Sequence, residues 1–159
     1  MSELPAVKIP ITLLHEQAIV PSHAYDGDAG YDLYATEAKT LQPFERALIG
    51  TGIAIELPKG KAAFVLPRSG LAIKQGLSLV NAPGLIDSNY RGEIKAIVIN
   101  LDPQESIEIR PGDRIAQLVV MDVDAIDFTV VEELGNSERG QGGFGSSGIS
   151  HISSHGNSN

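Results

Sequence analysis

Cysteine is absent from this sequence of 159 residues. No disulfide framework and no thiolate metal site is open to the chain, and a reducing compartment suits it. Tryptophan is absent too, and aromatic residues make up only 5%. The core therefore has to be aliphatic, and Val, Ile and Leu crowd the middle of the chain. No apolar run approaches the ~20 residues that span a bilayer. Residues 1–5 (MSELP) lack the basic and apolar blocks of a signal peptide. These absences point to a soluble, cytoplasmic protein with no membrane partner. Positive charge is also scarce: 12 Lys and Arg against 20 Asp and Glu give a net charge of −8. A protein that grips nucleic acid presents a basic face, so none is expected as a partner. A small anionic ligand would have to be met by local cations or by a metal ion.

Several familiar chemistries are missing as well. The sequence has no GxxxxGK[ST] phosphate loop and no GxGxxG after a strand, which removes the common α/β nucleotide folds. It has no GxSxG elbow and no HExxH pair. His15, His23, His151 and His155 are scattered through loops and termini, so no histidine metal site is expected.

What remains is a chain of short β-rich runs. Hydrophobic residues make up 42%, enough for a globular core. Runs at 7–14, 31–35, 39–42, 46–57, 61–66, 77–81, 94–100, 105–109, 114–123 and 126–131 are rich in Val, Ile, Leu or Thr and broken by Gly or Pro. Pro10 suggests an edge position for the first run. Residues 69–75 offer the one place for a short helix. Close turn signals between many short strands predict an all-β sandwich or jelly-roll-like barrel. Composition shifts to Gly, Ser and Asn towards the C-terminus. The expected organisation is a β-domain over 1–134, a flexible Gly-rich arm over 135–148, and a disordered tail over 149–159.

Five segments are more polar than plain strands and turns require. In AGYDLYA (29–35), Asp32 stands among apolar neighbours, where a carboxylate needs a cation or hydrogen-bond donors. In PRSGLA (67–72), Arg68, Ser69 and Gly70 precede the possible helix, and guanidinium and backbone N–H groups there suit phosphate. In NAPGLIDSNYRGE (81–93), a hairpin would expose backbone donors and acceptors, with Asp87 at its rim and Tyr90 close by. In RPGDRIAQL (110–118), Arg114 is open to pairing with Asp113 or another carboxylate, and Gln117 lies within the following strand. In RGQGGFGSSG (139–148), one Arg, one Phe, two Ser and five Gly share ten residues. A spacer gains nothing from Arg139 and Phe144. A segment that closes on an aromatic, anionic ligand uses both, one for charge and one for stacking.

In this order the five segments resemble the five motifs of the homotrimeric dUTPases, over roughly residues 24–148. The resemblance implies a distorted jelly roll of the dUTPase type, assembled as a homotrimer whose sites draw on all three chains. It implies hydrolysis of dUTP to dUMP and pyrophosphate with Mg²⁺, which keeps uracil out of DNA and supplies dUMP for thymidylate synthesis. By the same resemblance Asp87 would be the general base, Gln117 would help to position the water, and Asp32 would face a hydrated Mg²⁺ held mainly by the triphosphate. Arg68, Ser69 and Gly70 would bind phosphates. Asn81, Leu85, Ile86 and Lys95 would line the uracil slot, and Tyr90 would exclude a 2′-hydroxyl. Arg139 would reach the γ-phosphate, Phe144 would stack on uracil, and Gly145, Ser146 and Ser147 would complete the cover.

Two other functions fit the same scaffold. A dCTP deaminase would need a different acid/base set near the pyrimidine. A non-catalytic nucleotide-binding interaction protein would have lost Asp87, Gln117 or the arm, all of which are present.

Overall fold

A computed structural model describes residues 6–143. They fall into two compact units that divide between Ala125 and Ile126. The first unit is built from eleven strands and one short helix: β1 (Ile11–Leu13), β2 (Tyr31–Tyr34), β3 (Lys39–Leu41), β4 (Arg46–Gly50), β5 (Ile53–Ile55), β6 (Lys61–Leu66), α1 (Ser69–Gln75), β7 (Leu77–Leu79), β8 (Gly84–Ile86), β9 (Lys95–Asn100), β10 (Ile107–Ile109) and β11 (Arg114–Asp122). This is the expected all-β class with a single helix. Among the described residues no helix is long and apolar enough to cross a membrane.

Every strand pair is antiparallel, and most join distant parts of the sequence. One sheet runs β2-β11-β6-β8 and a second runs β4-β9-β7, while β1 pairs with β5 and β3 with β10. The longest ladder aligns Gln117–Asp122 of β11 with Leu66–Lys61 of β6. On its other side β11 meets β2, placing Gln117 opposite Asp32. Period-2 alternation decides which side chains go inward. In β9 the pattern buries Ala96, Val98 and Asn100, and in β10 it buries Ile107 and Ile109. Leu33, Leu41, Ile49, Ile53, Ile94 and Val98 are almost wholly enclosed in one aliphatic core. Burial of each such side chain contributes about 1.5–3 kcal/mol. The fully buried Asn100 is compatible with that core because its amide is satisfied. Nδ2 donates to the carbonyls of Leu41 (3.1 Å) and Glu105 (2.8 Å), and Oδ1 accepts from Asp102 N (2.8 Å).

Three local expectations change in the structure. The run at 46–57 is two strands rather than one. The chain turns at Thr51-Gly52, where Gly52 has φ +68° and an added Cβ would lie 2.9 Å from Ala18, His15 and Thr36 side-chain carbons. Glycine is required there on both counts. The break sends β4 to β9 and β5 to β1. Residues 81–93 do not form a hairpin of their own. β8 instead joins β6 as the last strand of its sheet, pairing Leu85 with Phe64. Residues 126–131 form no strand, and the side chains of Ile126, Phe128 and Val130 are exposed. An apolar run becomes a strand only where a partner supplies the ladder, and that segment has none among the described residues.

Candidate active site

The carboxylate of Asp32, only 9% exposed on β2, gathers two guanidinium groups. Arg68 Nε lies 2.9 Å from Oδ1, and Arg114 Nη1 lies 3.2 Å from Oδ2. Arg68 Nη1 also donates to the carbonyl of Arg114 at 3.3 Å. Arg114 therefore pairs with Asp32 and not with its neighbour Asp113, whose Oδ2 instead accepts from Arg110 N (2.8 Å) and closes the turn before β11. A carboxylate has about four acceptor positions, so Asp32 keeps capacity for water after both pairs form. Gln117, opposite Asp32 in the ladder, donates Nε2 to the carbonyl of Pro67 at 2.9 Å. That bond ties β11 to the segment leading into α1. Arg68, Ser69 and Gly70 follow there, with Ser69 opening the helix. Asp32, Arg68, Ser69, Gly70 and Gln117 line one cleft of about 450 Å³, together with Asp28 and Gly30. Its chemistry is that of an anion site with acid at the rim. Arg68 spends two of its five N–H donors on Asp32 and Arg114 and keeps the rest for a ligand.

A second cleft of about 550 Å³ holds Asn81, Leu85, Ile86, Asp87, Tyr90 and Lys95. Its floor includes β8, an edge strand, and an edge leaves half of its backbone groups without ladder partners. Such a row of donors and acceptors suits a flat heterocycle. The Ala82-Pro83 peptide is cis. The Asn81 amide lies over Gly84, where an added Cβ would be 3.3 Å from Nδ2. Tyr90 donates its hydroxyl to the carbonyl of Glu93 at 3.0 Å. Tyr90 N donates to the carbonyl of Asp87 at 3.1 Å, closing a turn with exposed Asp87 at its start. Lys95 Nζ is 3.2 Å from Glu93 Oε2, and the other Glu93 oxygen accepts from Gly52 N at 3.0 Å. Glu93 and Leu48 belong to this cleft and were not singled out in the sequence. The available signal for Glu93 was its place two residues before Lys95, which can put both side chains on one face of an extended segment.

The two clefts share no lining residue. Asp87 and Tyr90 therefore stand in one, and Asp32, Arg68 and Gln117 in the other. In the second unit, Arg139 donates Nε to the carbonyl of Gly142 at 2.7 Å, and Gly142 N donates to the carbonyl of Arg139 at 3.0 Å. The Arg139 side chain thus closes its own turn. Phe144, Gly145, Ser146 and Ser147 lie outside the described residues.

Known proteins resemble this chain over nearly its full length. The family profile described as dUTPase matches residues 16–148. The deoxyuridine 5′-triphosphate nucleotidohydrolase of Streptomyces griseus is 56% identical over 142 residues, covering 89% of this chain and 81% of that protein. Among solved structures, a variant of the Staphylococcus bacteriophage 80alpha dUTPase with dUpNHpp superposes with a TM-score of 0.84 at 30% identity. The match covers 91% of this chain and 100% of the phage chain. A variant dUTPase from phage phi11 of S. aureus, described for its coordination of a structural Mg(II) ion, gives a TM-score of 0.76 at 27% identity, over 82% of this chain and 100% of that one.

Proposed function

The chain belongs to the dUTPase family, and from that premise we propose that it hydrolyses dUTP to dUMP and pyrophosphate at sites completed between three copies of itself. The family relation supports the reaction. The separation of Asp87 from Arg68 and Gln117 into two clefts supports the assembly, because a base and a phosphate cradle that do not meet in one chain have to meet across a chain boundary. The exposed apolar side chains of Ile126, Phe128 and Val130 also suit burial against another copy.

The residues then divide the work. The edge of β8 and the Asn81 amide read uracil, with Leu85, Ile86 and Lys95 along the slot. Tyr90 packs under the sugar and excludes a 2′-hydroxyl. Arg68, Ser69 and Gly70 hold phosphate oxygens, and Arg139 takes the far end of the triphosphate. Phe144 covers the base, with Gly145, Ser146 and Ser147 alongside the phosphates. Asp87 accepts a proton from a water steered by Gln117. The water oxygen bonds to the α-phosphorus as the bond to the bridging oxygen breaks, and pyrophosphate leaves with the electron pair. A positioned base and a water-excluding cover each lower the barrier for such a step.

Mg²⁺ fits this site as part of the substrate. Among the described residues no group of three or more His, Asp or Glu side chains is placed to cage an ion. Asp32 and Asp28, on the phosphate cleft, suit an ion that is held by the triphosphate and met through water. When bound, it would neutralise charge on the phosphates. One panel tests the whole reading: pyrophosphate release from dUTP, dTTP, UTP and dCTP, with and without Mg²⁺, by the full chain and by Asp87→Asn. Release from dUTP alone, lost in Asp87→Asn, is expected. Ammonia from dCTP without pyrophosphate from dUTP would overturn it.

A further inference from the structure

Arg91 lies outside the cleft that holds its neighbour Tyr90, yet it grips the turn from behind. Its Nη1 donates to the carbonyl of Ser88 at 2.8 Å and to the carbonyl of Tyr90 at 3.0 Å. Its Nη2 meets Glu56 Oε1 at 3.2 Å. Glu56 follows β5, and its own N–H donates to the carbonyl of Pro10 at 2.9 Å. One guanidinium therefore fastens the turn Asp87–Tyr90 to the β1-β5 pair.

The turn needs an outside fastening. It runs from β8, in the four-stranded sheet, to β9, in the three-stranded sheet. Between Ile86 and Lys95 no ladder holds the chain. The Asp87 carbonyl is taken by Tyr90 N, and the Ser88 and Tyr90 carbonyls by Arg91. Both carbonyls that Arg91 grips flank the ring and carboxylate that face the cleft. The Tyr90 ring has little slack: a Cβ added to Gly92 would fall 2.6 Å from its Cζ. A turn that shifts by a fraction of an ångström must carry Asp87 and Tyr90 with it.

We propose that Arg91, braced by Glu56, is a positioning residue that sets Asp87 and Tyr90 for reaction and sugar selection. The proposal rests on the reading that Asp87 activates water and Tyr90 excludes the 2′-hydroxyl. Both partners are about half exposed, and exposed ion pairs add little to global stability. Loss of the grip should therefore register in kinetics before it registers in melting.

The test compares Arg91→Gln, Arg91→Lys and Glu56→Gln in the full chain with Mg²⁺, reading kcat and KM for dUTP and for UTP beside thermal melts. Arg91→Gln is expected to lose about tenfold in kcat/KM for dUTP, with a smaller dUTP-over-UTP preference, at a nearly parental melting temperature. Arg91→Lys should recover part of both, since one ammonium reaches some of these acceptors but lacks the fork. Glu56→Gln should fall between parent and Arg91→Gln. Parental efficiency and preference in Arg91→Gln, within about twofold, would overturn the proposal. If Arg91→Gln does not fold, the same parental values in both Arg91→Lys and Glu56→Gln overturn it. Failure of the underlying reading looks different. A parent enzyme that accepts UTP as readily as dUTP, or an Asp87→Asn variant that keeps its turnover, refutes the substrate assignment and takes the proposal with it.

Discussion

Arg68 Nε stands 2.9 Å from Asp32 Oδ1 although Asp32 lies within β2 and Arg68 caps the helix two residues beyond β6, brought together by the β2-β11-β6 order of one sheet. The same carboxylate holds Arg114 through its second oxygen at 3.2 Å. Two like charges thus converge on one nearly buried anion, and the anion is what makes their closeness tolerable.

Asp32→Asn removes that charge and turns one acceptor into an NH₂ group facing a guanidinium. Arg68 then loses its fixed orientation. A charge-assisted hydrogen bond of this kind contributes about 1.5–3 kcal/mol, so KM for dUTP should rise roughly 10- to 100-fold. Arg68→Lys should show a related loss, because Lys lacks the fork. If the pair works as a unit, the double variant should be little worse than the worse single one. Steady-state kinetics on the four proteins decide it, and fully additive losses would count against the coupling.

Removal of the chain from Arg139 onward should leave the β-domain folded. Among the described residues all eleven strands lie between Ile11 and Asp122, and the buried aliphatic core lies within the same span. Turnover of dUTP should fall by roughly 100-fold or more, as expected when a cover that excludes water is lost. Circular dichroism and pyrophosphate release on the same preparation separate the two effects. An unfolded product would mean that the segment is part of the scaffold.

Much of this was legible in the sequence because the signals were local. Short β-rich runs broken by Gly or Pro located eight of the strands one by one and covered β4 and β5 with a single run, and the Ser69–Gln75 helix begins after the Pro67-Arg68 step where it is expected. What stayed hidden depended on pairing between distant segments. Nothing near Arg114 says that its partner is Asp32, 82 positions away, when Asp113 is adjacent. Asp113 is committed to the turn before β11, where its Oδ2 accepts from Arg110 N. The five segments likewise carry no label for which of them share a cleft, since that follows from sheet order. Glu93 was passed over for the same reason: its contact with Gly52 N exists only once β9 lies beside β4.

Asp102 provides a pH-dependent prediction. Its Oδ1 accepts from Gln104 N and Glu105 N, each at 2.8 Å. The bond from Glu105 and then that from Gln104 hold its pKa below the ordinary 3.8. A carboxylate bound only in the native state releases its proton more readily there than in the unfolded chain. Its stabilisation is whole above the ordinary value and is lost as the pH falls through the lowered native one. Asp102→Ala should therefore lower the urea midpoint at neutral pH, and the gap from the parent should close in strong acid. A gap that stays constant across the series would show that the loop is held by something other than the ionised carboxylate.

Phe44 offers a change in the other direction. It is the only non-glycine residue with positive φ among the described residues, at 61°, and its side chain is 64% exposed. The left-handed conformation costs an L-residue about 1–2 kcal/mol, and an exposed ring returns little by packing. The turn itself is fixed by backbone bonds that any residue can make: Phe44 N donates to the carbonyl of Asn100 at 2.8 Å, and Glu45 N to that of Gln42 at 2.9 Å. Phe44→Gly removes the strain and gives back about 0.5–1 kcal/mol through the freer unfolded chain. The net gain should be a few tenths to about 1 kcal/mol, which raises the melting temperature by roughly 1–4 °C for a chain of this size. Activity should not change, since Phe44 lines neither cleft. A lower melting temperature in Phe44→Gly would mean that the exposed ring is covered in the assembled protein, and that this turn belongs to an interface between chains.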